Sequence, residues 1–311
     1  FITERYSTTA VKAAEDIIKE CERSRIDIID FWHEEYPALL REIRYPPLVL
    51  YRRGKPLLSK CFSIVGTRDA DAQSQKIANI FAASLARRGF TIASGMALGI
   101  DRAAHVGALE AGGATIGVLA NGIDVVYPLQ NSDLFDRIAE SESSCLFSEY
   151  PPGIIAGKWT FVRRNRIISG ISHATLVVKA GGKSGALITA RYALEQGRDV
   201  FACPGPALDA GFAGCHRLIR SGAALASCPE DIFVELNLPH LKEEHIHQNE
   251  LSDEMLEGIS YLFGENSART AGELSKNVSS DPLKRKILET ARPSCRIDEL
   301  IRKIGEPAAL I

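Results

Sequence analysis

The sequence predicts an α/β fold built on a doubly wound, mainly parallel sheet, and three observations predict it. Between residues 45 and 236, short apolar runs alternate with stretches whose apolar residues recur at helical spacing. Glycine-rich turns follow three of those runs. The composition, 45% hydrophobic and 24% charged over 311 residues, is that of a globular chain able to bury such a core.

The elements follow in order. Residues 1–44 read as a small, partial helical unit, with Val11, Ala14, Ile17 and Ile18 on one helical face and a short apolar run at 26–29. Strands are expected at 62–65, 91–93, 115–119, 145–148, 174–178 and 200–202, and helices at 73–88, 101–111, 132–139, 160–169 and 186–196. Residues 237–250 are polar and read as a linker. Residues 251–311 are expected to form a winged-helix-like unit in which helical stretches at 283–290 and 297–304 flank Arg292, Pro293 and Ser294, and an incomplete one, since the final strands of such a unit are not read before residue 311.

Several function classes recede on composition. No stretch approaches the roughly 18 consecutive apolar residues of a membrane span, and the first 25 residues have no signal-peptide core, so a cytoplasmic location is expected. The seven cysteines are odd in number and lack a C-x-x-C pair, so they read as reduced thiols. Cys203, Cys215 and His216 are too loosely spaced for a structural zinc site, and neither a metal nor a cofactor is expected. The net charge of −2 argues weakly against a nucleic-acid partner. Between residues 158 and 220, however, ten lysines and arginines face only Glu195, Asp199 and Asp209, an excess that suits a polyanion.

Candidate binding residues gather at the carboxyl ends of the expected strands, where open α/β sheets place their ligands. The first run leads into Gly66, Thr67 and Arg68, and the second into Ser94, Gly95 and the turn up to Asp101. The fifth leads into Gly181, Gly182, Lys183, Ser184 and Gly185, followed by a helix carrying Thr189. Such turns let backbone and helix N–H groups approach a phosphate. The helix at 160–169 carries Arg163, Arg164, Asn165 and Arg166, and its spacing presents Arg163 and Arg166 on one face with Ile167 and Ile168 inward. Lys158 precedes it. Trp159 and Phe161 could stack on bases, although taken singly each is expected in the core. Asp101 is expected to cap the helix it begins, and His105 to be a packed imidazole.

These motifs, in order, resemble the DprA (Smf) family of DNA-processing proteins. The resemblance runs from Tyr36–Pro37 and Pro46–Pro47–Leu48 through Gly66–Thr67–Arg68 and the Ser94-to-Asp101 turn. It continues through Tyr127–Pro128, Arg164–Asn165–Arg166, Ser184–Gly185 and Pro204–Gly205, about residues 36 to 233. It implies an extended Rossmann-like domain and a non-catalytic protein that binds and protects incoming single-stranded DNA. It further implies loading of RecA recombinase during natural transformation and recombination, and a homodimer. DNA phosphates would then meet Gly66, Thr67, Arg68, Ser94, Gly95, Arg164, Asn165, Arg166, Ser184, Gly185 and Thr189, with Lys158, Arg163 and Lys183 added from local charge. The chain departs from the usual pattern at Leu98 (arginine), Lys179 (acidic), Ala186 (serine) and His216 (asparagine).

The alternative is a nucleotide-binding enzyme of the phosphoribohydrolase-like Rossmann group. Thr189 stands where such enzymes carry a carboxylate, and a hydroxyl cannot replace it as a base. The G-x-G-x-x-G turn of a nicotinamide-dependent oxidoreductase, with its acidic residue about twenty positions on, is not found in the sequence. The helix at 297–304 mixes Arg302 and Lys303 with Asp298 and Glu299, which favours protein contact over base reading.

Overall fold

The computed structural model describes residues 8–55 and 60–238. The expected winged-helix-like unit and nearly all of the linker lie outside the described residues. In chain order the elements are α1 (Thr8–Arg23), β1 (Asp27–Asp30), α2 (Ala38–Arg41), β2 (Val49–Gly54), β3 (Lys60–Val65), α3 (Ala72–Arg87), β4 (Phe90–Ser94), α4 (Ile100–Glu110) and β5 (Thr115–Leu119). They continue as α5 (Ser132–Ala139), β6 (Cys145–Ser148), α6 (Lys158–Gly170), β7 (Ala174–Val177), α7 (Ala186–Glu195), β8 (Asp199–Ala202), α8 (Ala213–Arg220), β9 (Ala224–Leu225) and α9 (Pro229–Glu235).

All nine described strands form a single sheet in the order β1-β2-β6-β5-β4-β3-β7-β8-β9. From β6 to β9 every pairing is parallel, while β1 and β2 add an antiparallel edge. The chain winds outward from β3 through β4, β5 and β6, then returns to β3's other side with β7 and β8. This reversal puts the topological switch between β3 and β7, and a crevice opens beyond their carboxyl ends.

Strand side chains alternate between two apolar layers, as the two-residue period requires. Phe62 and Ile64 pack with Phe81, Leu85 and Ile100 of α3 and α4, while Cys61 and Val65 join Ile167, Ile168 and Ala190 of α6 and α7. Helix α3 starts where the Asp71 carboxylate accepts the Ser74 N–H at 2.7 Å. Helix α4 starts at Gly99, whose φ of +74° and the 2.5 Å between a would-be Cβ and Thr67 O leave room only for glycine.

The six expected strands and five expected helices are present within one or two residues. The lead-in differs. Its apolar run at 26–29 is largely β1, with Ile29 paired to Leu50 of β2, so the sheet crosses the boundary expected after residue 44. Tyr36, Leu40 and Ile43 are buried in the same layer as α6, and Tyr36 donates its hydroxyl to Pro47 O at 2.7 Å. No helix among the described residues is long and apolar enough to cross a membrane.

Candidate functional site

The crevice between β3 and β7 is a pocket of about 540 Å³. Its loop wall consists of Gly66, Thr67 and Arg68 after β3 and of residues 181–185 after β7; its helix wall consists of Phe161, Arg164 and Asn165 on α6 with Thr189 on α7. The two loops are tied by their backbones, Thr67 N–H donating to Lys179 O at 2.8 Å and Ile100 N–H to Thr67 O at 3.2 Å. A side chain at Gly66 would meet Ile100 at 2.5 Å, which explains that glycine.

The walls differ electrostatically. Arg68 and Lys183 are exposed and enter no ion pair among the described residues, and the Arg68 guanidinium lies 4.6 Å above the Phe161 ring. Arg164 is 4% exposed and turns inward, donating to Gly95 O at 2.6 Å, to Val118 O, and to Asn165 Oδ1 at 3.2 Å. Beneath it the Asp101 carboxylate accepts the N–H groups of Gly95 at 3.1 Å and Ala97 at 3.4 Å. Asp101 lies within α4, so it does not cap the helix; it folds the preceding turn back under the pocket. Burial pushes its carboxyl up against the pull of Arg164, and burial lowers Arg164 to about 10.

Nine of the fourteen sequence-derived site residues line this pocket: Gly66, Thr67, Arg68, Arg164, Asn165, Lys183, Ser184, Gly185 and Thr189. Ser94 and Gly95 lie beneath it. Ser94 donates its hydroxyl to Ile64 O at 2.6 Å, and Gly95 is covered by the Arg164 guanidinium, 2.7 Å from a would-be Cβ. Lys158, Arg163 and Arg166 stand outside the pocket. Arg163 and Arg166 do share a face, but they are not free cations: Glu149 Oε1 binds them at 3.2 and 2.6 Å.

Half of the ten cations between residues 158 and 220 are held in ion pairs in this way. Lys179 bridges Asp71 at 2.6 Å and Asp209 at 3.2 Å, Arg191 meets Glu195, and Arg198 meets Glu42. The aromatic expectations also change: Trp159 is 62% exposed against Tyr150, and Phe161 lines the pocket beside Tyr127. His105 is fully buried, and its Nδ1 lies 2.6 Å from Thr115 Oγ1. The Thr115 hydroxyl donates to Ile92 O at 2.7 Å, so Nδ1 carries the imidazole proton. Sequence reasoning missed Glu149 and Asp71 as neutralising partners: Asp71 lies 108 residues from Lys179, and Glu149, 14 and 17 residues from its arginines, is beyond helical spacing.

With this geometry in place, the comparisons are specific. Residues 27–237 match the model of the DNA recombination-mediator protein A family, beginning at β1. The chain belongs to that family. It is 44% identical over 214 residues to the DNA processing protein DprA of Bacillus subtilis, covering 68% of this chain and 71% of the relative. To the protein Smf of Escherichia coli it is 37% identical over 257 residues, 80% and 68% of the two chains. A putative DprA of Mycobacterium tuberculosis is 43% identical over 199 residues, and the match spans 51% of that longer protein.

Two crystallographic or solved relatives share the fold. Streptococcus pneumoniae DprA superposes with a TM-score of 0.66 at 39% identity, over 71% of this chain and 77% of the other. The Helicobacter pylori protein, described for its single-stranded DNA binding mode, gives 0.62 at 27% identity over 68% and 96%.

Proposed function

We propose that this family member binds single-stranded DNA without catalysing a reaction, holding backbone phosphates in the pocket between β3 and β7. The observation that carries this is the loop wall: Arg68 and Lys183, both exposed and without an ion-pair partner among the described residues, face the same crevice as the glycine turns of residues 66 and 181–185. Cations of that kind neutralise phosphates without reading bases. Phe161, with Arg68 across its face, offers a stacking surface beside them. The resemblance to a single-stranded-DNA-binding relative supports the same partner.

Two carboxylates line the pocket, the exposed Asp69 beside Arg68 and the buried Asp101, and the buried one is committed to structure rather than turnover. Asp101 is held by two backbone N–H groups and stands beside Arg164, an arrangement for fixing a turn. The finer role follows the family: protection of incoming DNA, delivery to RecA recombinase in natural transformation and recombination, and action as a homodimer in the cytoplasm.

Fluorescence titration of single-stranded oligonucleotides at several salt concentrations tests the reading. Each phosphate neutralised adds about −0.7 to the slope of log affinity against log salt. Arg68→Ala is expected to weaken binding to unrelated sequences equally and flatten the slope by about that amount, with unchanged melting. A stable Arg68→Ala protein with wild-type affinity and slope overturns it, as does nucleotide hydrolysis by the wild type.

A further inference from the structure

A second groove, of about 590 Å³, borders the other side of α6. Helical geometry separates the two cavities: Phe161, Arg164, Asn165 and Ile168 line the pocket, whereas Arg163 and Arg166, on the opposite face, line the groove. Helix α7 runs past both, contributing Thr189 to the pocket and Tyr192 and Gln196 to the groove. The far wall is the segment after α2, where Arg44 and Tyr45 are exposed and the Arg44 guanidinium lies 5.2 Å above the Tyr45 ring. Val162, exposed on α6, lines the edge of the first pocket one residue before Arg163.

The chemistry of this groove fits a nucleotide. Arg44 has no ion-pair partner among the described residues, and Arg163, although bound to Glu149 through Nη2, keeps a side chain that is 54% exposed. Arg166 is sunk onto Glu149 and serves as wall. The one lining carboxylate, Glu195, is exposed and meets the exposed Arg191 at 3.4 Å. Tyr45 and Tyr192 supply flat, amphipathic rings. Gln196 donates from Nε2 to Arg166 O at 3.0 Å, which fixes its amide, and its buried Oε1 has no hydrogen-bond partner among the described residues. The volume is also in the range of about 300–1,000 Å³ typical of small-ligand sites.

We propose that this groove is a second nucleotide subsite, in which a single strand seated in the first pocket crosses α6 past Val162 and lays its next phosphate against Arg44, with a base on Tyr45. The proposal rests on the single-stranded DNA reading and extends the contact surface around α6. Two subsites joined over a helix about 10 Å across make affinity rise with length until both are filled.

The test uses the full chain with oligothymidines of about 4 and about 16 nucleotides, bracketing common single-strand site sizes. Arg44→Ala and Tyr45→Ala replace exposed side chains, and unchanged melting checks their folding. Each variant is expected to lose roughly tenfold affinity for the longer strand and none for the shorter, and Tyr45→Trp to keep wild-type affinity. Arg68→Ala lowers affinity for both lengths. If the wild type binds both strands and the Arg44 and Tyr45 variants match it at each length, the groove is overturned and the pocket stands. Equal losses at both lengths also overturn it, because they place Arg44 and Tyr45 at the first pocket. If the wild type binds neither strand, both readings fall together.

Discussion

The two walls of the pocket carry arginines of equal charge put to opposite uses. On the loop wall, Arg68 is exposed and rests on an aromatic face; on the helix wall, Arg164 is buried and spends its donors on Gly95 O, Val118 O and Asn165. Its neighbours Arg163 and Arg166 are bound by Glu149. The difference teaches that a basic run in sequence counts cations, whereas a ligand meets only those with no internal partner. By that criterion the loop wall supplies the charge and the helix wall supplies the shape.

The largest expected effect breaks the helix wall. Arg164→Ala removes the positive charge near the buried Asp101 carboxylate, takes a donor from Gly95 O and Val118 O, and empties a buried site, and is expected to cost about 2–4 kcal/mol. That is a large share of the roughly 5–15 kcal/mol that holds a typical domain. Arg164→Lys is expected to rescue little, since one ammonium cannot span the acceptors that a planar guanidinium reaches. Urea unfolding measures both. Variants with wild-type midpoints but weakened, salt-flattened DNA binding would move Arg164 onto the ligand side and erase the contrast between the walls.

The next effect lies behind the same wall. Burial, helped by the positive charge of Arg164, pulls His105 from its ordinary 6.5 down to about 3. Between those values the unfolded chain binds a proton that the folded chain refuses, so stability falls as pH falls through that window and is intact above it. The slope from this residue reaches about 1.4 kcal/mol per pH unit. His105→Asn, which keeps a donor for Thr115, is expected to lower stability at neutral pH and flatten the dependence between pH 6 and 4. Wild-type and variant denaturation curves that shift in parallel with pH would exclude the linkage.

Which parts were legible in the sequence follows from how local their causes are. The parallel centre was readable because strands such as Ile116–Leu119 are buried on both faces and appear as short apolar runs between helical stretches. The antiparallel edge was not. β1 buries only Ile29 among its four residues, and nothing in its pattern reveals that Leu50 lies opposite. In the site, the glycine turns were found because their chemistry is written in consecutive residues. The fate of Arg164 was hidden, since its acceptors lie 69 and 46 residues away. Asp101 gave a misleading local signal: an acid at the start of a helix resembles a cap, and only the fold shows it reaching back to Gly95 and Ala97.

The smallest effect sharpens the comparison by adding charge to the pocket's edge. Leu98 is half-buried in the turn between Ala97, which lines the pocket, and Gly99, which starts α4. The turn is already held from below by Asp101, so a longer side chain at residue 98 alters the rim without disturbing that support. Leu98→Arg is expected to strengthen single-stranded DNA binding a few-fold near 0.1 M salt and to steepen the salt slope by about 0.7, one phosphate's worth. At about 1 M salt, where screening acts over about 3 Å, the gain should vanish. A gain that persists at high salt would indicate packing rather than charge. No gain at either salt, in a protein that still melts like wild type, would place the strand against Arg68 and Lys183 alone and confine the phosphate track to the two loops after β3 and β7.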